Sequence, residues 1–140
     1  LNLTNLGKKT LMKTVPLLFQ NKLISKKQDE SKVTYANKFL TKDRKISFYN
    51  SADDVYNHIR AHGPKPGSWF TYKGERIKII KAKKTNQLGE SSTILDKDFT
   101  IACKDGAILP LFIQREGKKV VSLEDFLRGF TFSVHDKLNE

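Results

Sequence analysis

Few side chains in this sequence are spaced for bond-making chemistry, and many are spaced to hold anions. His58 and His62 stand four apart on one helical stretch and could share a metal ion, yet no acidic or thiol third ligand follows at a matching spacing. His62 is more simply read as a basic residue in a last helical turn, where the helix dipole favours it. Asp53 and Asp54 read as first-turn acids behind an N-cap at Ser51, not as a catalytic pair, and Ser122 reads as a second cap. No Gly-rich loop leads from a strand into a helix, so neither a nucleophile elbow nor a phosphate cradle is present. Cys103 closes the apolar run from Phe99 and reads as a small buried strand residue in a reducing compartment. The chain therefore offers no catalytic, cofactor-binding or metal site of its own.

The charge is the informative feature. The net charge is +11, and residues 1–50 carry 11 Lys and Arg against 3 acids, whereas residues 101–140 carry 6 of each. The excess is densest between Lys22 and Lys45. A basic surface of this kind suits a polyanion, because each phosphate it neutralises releases condensed counterions. Arg76 and Lys78 alternate with Ile77 and Ile79, which places cations on one face of a strand and apolar groups on the other, and Lys118-Lys119 form a further basic pair in a loop. Trp69, Phe70, Tyr72, Phe99 and Phe112 could stack bases, but aromatics on short strands more often fill a core, and that is the expectation taken for them.

These cations need positioning. Residues 1–20 carry Leu3, Leu6, Leu11, Val15 and Leu18 at helical spacing, with Pro16 expected to kink or end the regular helix near Thr14. Residues 21–45 have the polar, lysine-rich composition of a linker. A helix then runs from the Ser51 cap through Val55, Tyr56 and Ile59 to Gly63-Pro64, where Gly63 is expected to adopt a left-handed cap. Pro64 and Pro66 stiffen the corner, Gly67 turns it, and Trp69 to Tyr72 enters a strand that returns through Lys73-Gly74-Glu75 into residues 76–81. Further strands are expected at 93–95, 99–103 and 107–114, and a short helix from Ser122 to Gly129. Four or five short strands with helices make a mainly β domain over residues 46–135, a small open barrel of the oligonucleotide-binding type. No apolar run approaches the length of a membrane span, so neither a membrane nor a secretory partner is expected and a cytoplasmic location follows.

Several blocks occur together in a recognisable order: Gln28-Asp29, Val33 to Lys38, Asp43 to Phe48, the corner from Ile59-Arg60-Ala61 to Pro66-Gly67-Ser68-Trp69, Cys103 to Ile108, Gln114 to Lys119, and Phe126 to Gly129. As a set they resemble the linker and C-terminal domain of the methionyl-tRNA formyltransferase family. The chain departs from that pattern at Ser91-Ser92-Thr93, where the family usually has a Pro-Gly-Thr turn, and at Gly63 and Lys65.

The resemblance implies a tRNA-binding domain. It implies contacts to the backbone of initiator methionyl-tRNA from Lys38, Lys42 and Arg44 in the linker and from Arg60 at the corner; charge alternation adds Arg76, Lys78, Lys118 and Lys119. It further implies that residues 1–20 are the last helix of a catalytic domain that lies upstream of this sequence, and that the parent enzyme, not this chain, uses 10-formyltetrahydrofolate. The chain alone is then expected to be inactive. Two other readings stay open: the C-terminal domain of a sugar-nucleotide formyltransferase, and a stand-alone module for single-stranded nucleic acid, which would need exposed aromatics.

Overall fold

The computed structural model describes residues 2–138 and divides into two units, Leu1–Asn37 and Lys38–Glu140. In the first, α1 (Asn2–Phe19) runs through Pro16 without ending, and none of its residues is buried. The expected break near Thr14 does not form. Proline sacrifices one backbone bond a turn behind it, and the Thr14 hydroxyl meanwhile donates to the Thr10 carbonyl at 2.7 Å. A short 3-10 turn follows at Glu30–Lys32, capped by the Asp29 carboxylate.

The second unit opens with a 3-10 turn, Lys42–Arg44, and then α2 (Ala52–His62). Ser51 Oγ accepts the Asp54 N–H at 3.0 Å, as its position before two acids predicts, and Val55, Ile59 and His62 turn inward. Asp105 accepts the Ala52 N–H at 2.8 Å, which fastens the start of α2 to the sheet.

Five strands follow: β1 (Ser68–Tyr72), β2 (Glu75–Thr85), β3 (Ile101–Cys103), β4 (Gly106–Arg115) and β5 (Val120–Ser122), with α3 (Leu123–Arg128) directly after. All named pairings are antiparallel, in the order β1-β2-β4-β3, and β5 shares with β3 the edge of β4 that faces away from β2. The result is the mainly β, open architecture expected from the strand count. Lys73 and Gly74 both have positive φ, +48° and +82°, so the β1–β2 connection is a two-residue turn whose twist matches that of the strands.

Inside the sheet lie Phe48, Phe70, Ile77, Ile79, Ile94, Phe99, Ile101, Ile108 and Ile113, all at most 1% exposed. Phe99 is the hub of an aromatic cluster, 5.5 Å from Phe126 and 4.9 Å from Phe132, ring centre to ring centre. It is not a strand residue, contrary to the expectation for 99–103: its φ is +61° and β3 begins at Ile101. Residues 93–95 likewise make only isolated bridges, from Thr93 to Lys137 and from Ile94 to Ile101. Apolar composition marked both segments as buried; it could not say that burial would be reached from a loop.

The corner after α2 is built differently from its sequence expectation. Gly63 has φ −78° and ψ 156°, an extended conformation open to any residue. Glycine is required there by proximity, since a Cβ would lie 2.9 Å from the Ile80 carbonyl oxygen and 3.2 Å from that of Ile59. Gly67 is the left-handed residue of the corner, at φ +81°.

Candidate nucleic-acid interface

Alternation along β2 sends Ile77 and Ile79 inward and Arg76, Lys78 and Ile80 to the opposite face. Register aligns that outer face across strands: Trp69 of β1 lies opposite Lys78, and Lys78 opposite Gln114 of β4. A chain segment before α2 crosses the Trp69 end of this row. Trp69 Nε1 donates to the Thr41 carbonyl at 2.9 Å, and the Ile46 N–H donates to the Trp69 carbonyl at 2.7 Å. The Arg76 guanidinium lies 4.4 Å from the Trp69 ring centre and the Lys45 ammonium 5.8 Å from it. One indole thereby ties the 41–46 segment to the basic strand.

This arrangement brings together most of the cations expected to bind phosphate. Lys42 and Arg44 sit in the turn beside Thr41, with Arg44 Nη2 donating to Thr41 Oγ1 at 3.3 Å. Arg76 and Lys78 line a cleft of about 220 Å³ with Gln114, Arg115, Glu116 and Gly117. Lys118 and Lys119 follow in the exposed β4–β5 turn, which Gln114 braces by donating to the Lys118 carbonyl at 2.8 Å. Lys38 is exposed at the start of the unit. Arg60 is the outlier: it donates to Asn57 Oδ1 at 3.2 Å and faces an apolar groove beside the basic row.

Which cations are free for a ligand follows from the ion pairs. Among the described residues, Lys38, Lys42, Arg60, Lys78, Lys118 and Lys119 make no ion pair. Arg115 grips Glu75 with two bonds of 2.7 and 2.8 Å, which hold the Glu75 carboxyl below its ordinary pKa and raise that of Arg115. Arg128 is occupied by Glu124 and Asp125, Lys137 by Glu90, and Lys84 by Asp53. Arg76 is intermediate, stacked on Trp69 with Glu116 at 3.8 Å.

Lys45, Lys81 and Lys83 join this basic face without having been among the phosphate contacts expected from the sequence. Lys45 is visible only once the indole is placed. Lys81 and Lys83 are exposed on a strand that continues to Thr85, past a bulge between Ile79 and Ala82 that resets the alternation. Phe112 departs from the core role expected of it, because it alternates with the fully buried Ile113 and so points to the outer face, 43% exposed. Trp69, Phe70, Tyr72 and Phe99 are buried as expected.

His62 is buried, with Nδ1 3.0 Å from the His58 carbonyl and 3.3 Å from Ser68 Oγ, and burial lowers the pKa of His58. Among the described residues no group of three or more His, Cys, Asp or Glu side chains could hold a metal. Cys103 is buried, its thiol pushed up to about 12 chiefly by that burial and further by Asp105, so it is an unreactive core residue. No helix among the described residues is long and apolar enough to cross a membrane.

An open antiparallel sheet with a basic outer face and an Ile-Arg-Ala to Pro-Gly-Ser-Trp corner defines a class. Residues 38–131 match the model of the formyl transferase C-terminal domain, and the chain belongs to that family. Among its relatives, methionyl-tRNA formyltransferase of Rhizorhabdus wittichii is 38% identical over 113 residues, 79% of this chain and 37% of that protein. That of Rickettsia bellii is 34% identical over 136 residues, covering 96% of this chain and 44% of the relative. The chain thus spans less than half the length of the curated relatives it matches. A structural neighbour, HypX from Aquifex aeolicus in complex with tetrahydrofolic acid, superposes with a TM-score of 0.63 at 15% identity over 94% of this chain and 26% of its own, a likeness of fold.

Proposed function

We propose that this chain is the tRNA-gripping C-terminal part of a methionyl-tRNA formyltransferase, a cytoplasmic enzyme that formylates initiator methionyl-tRNA with 10-formyltetrahydrofolate. The observation that carries this reading is the basic face gathered around β2, with Lys38, Lys42, Lys78, Lys118 and Lys119 all without an ion pair among the described residues, while Lys84, Arg115, Arg128 and Lys137 are engaged by acids. An array of this kind contacts phosphates and so fixes the orientation of an RNA while carrying no base information itself. Formyl transfer belongs to residues outside this sequence, and the contribution of the domain is to hold the acceptor end where that chemistry occurs. The parent's one-carbon donor needs no residue of this chain.

Affinity for folded initiator tRNA should exceed that for an unstructured RNA of equal length, because a rigid row of cations matches only a phosphate path of fixed shape. Fluorescence titration of the purified chain with both RNAs at several salt concentrations tests this. Equal affinity for the two would favour a general single-strand binder instead.

A further inference from the structure

Beside the basic row lies a groove of about 370 Å³ lined mostly by apolar surface: Tyr56, Ile59 and Pro64 on one side, Ile80, Ala82 and Phe112 on the other. Its volume falls within the roughly 300–1,000 Å³ of small-ligand clefts. The charged residues in its wall are Arg60 and Lys81, and neither has a carboxylate partner among the described residues. Lys81 lies opposite Phe112 in the β2–β4 register, so a long basic side chain and an aromatic one leave neighbouring positions of the same groove wall.

An exposed ring flanked by two unpaired cations is the chemistry of a nucleotide, since a base offers a π-face and its neighbouring phosphate a charge. An apolar protein segment would leave both cations without a counter-charge. We propose that this groove receives one unstacked nucleobase against Phe112, with the adjoining phosphate held by Arg60 and Lys81. The inference rests on the tRNA reading and deepens it: the row at Lys78 and Lys118 holds a phosphate path without reading bases, and the groove adds one base-dependent contact. It also gives Arg60, which the geometry separates from the other cations, a role of its own.

The test is a titration of the 140-residue chain with a five-nucleotide single-stranded RNA and with the same RNA carrying an abasic site at its centre. Binding is read by fluorescence and by amide shifts of labelled protein. The intact RNA is expected to bind about 5- to 100-fold more tightly than the abasic one, and to shift the amides of Ile80, Lys81 and Phe112. Phe112→Leu, which keeps apolar volume and removes the π-face, should abolish the difference, while Phe112→Tyr should retain it. Salt dependence should be unchanged in both variants. Indifference of the wild type to the missing base, no shift at those amides under saturating RNA, or undiminished discrimination in Phe112→Leu would each overturn the proposal and return the groove to a protein partner. The tRNA reading fails by a separate result, loss of preference for folded tRNA, so the two can be told apart.

Discussion

Replacing Gly63 with Ala separates two accounts of the corner that sets Arg60 against β2. If glycine stood there for backbone freedom, its extended φ of −78° would make alanine harmless, and the narrower unfolded ensemble would stabilise the chain by about 0.4–1 kcal/mol. The structure predicts the opposite sign. The new Cβ would sit 2.9 Å from the Ile80 carbonyl oxygen and 3.2 Å from that of Ile59, both backbone atoms that cannot rotate aside. Forcing a methyl into packed surroundings costs about 1–3 kcal/mol, so the net effect should be a loss of about 1–2 kcal/mol after the entropic gain is deducted. Gly74→Ala is the matched control, because its φ is +82° and nothing lies within 4 Å, so handedness alone should cost about 1 kcal/mol. Urea unfolding at constant m-value reads both variants. A Gly63→Ala protein as stable as wild type or more so would refute the proximity argument. The β2 carbonyl would then have to be farther from the helix end.

Three further outcomes follow from the same geometry. Phe48→Ala, which empties a fully buried site, should cost about 3–5 kcal/mol, whereas Phe112→Ala should change stability by under about 1 kcal/mol; similar losses in urea would return Phe112 to the core. Because Arg115 holds the Glu75 carboxyl below its ordinary range, that pair's stabilisation is complete above the unfolded pKa and is lost as pH falls through the folded one. Glu75→Gln should therefore flatten the decline in melting temperature below about pH 5, and an unchanged acid limb would contradict the pairing. The 140-residue chain should transfer no formyl group to methionyl-tRNA by itself, since the proposed reading assigns that chemistry to residues outside this sequence; any turnover above background would disprove this.

Much of the fold was legible because local chemistry and tertiary packing agree. Ser51 before two acids, Lys73-Gly74 between alternating strands and Ser122 before α3 each specify their element by backbone bonding within a few residues. Phe99 and Gly63 were misread for the same reason: what fixes them is distant in sequence, an aromatic cluster with Phe126 and Phe132 in one case and the Ile80 carbonyl in the other. For the interface, period-two alternation was enough to place Arg76 and Lys78 on the outer face. It could not show that Arg115 and Arg128 are taken by acids, or that Trp69 ties residues 41–46 to Arg76, because both depend on pairings across the fold. Phe112 was lost to the prior that strand aromatics are core, although its neighbour Ile113 fixes its direction.

The salt dependence of binding to folded initiator tRNA tests the central claim most directly. The logarithm of the association constant should fall linearly with the logarithm of salt concentration, each phosphate contact adding somewhat under one unit to the slope. Lys78→Ala with Lys118→Ala should reduce the slope by about one to two units. Arg128→Ala removes the same kind of charge from a site already neutralised by Glu124 and Asp125, and should leave the slope unchanged. Equal reductions from the paired and the unpaired cations, or none from either, would contradict a phosphate-gripping face built from Lys78 and Lys118.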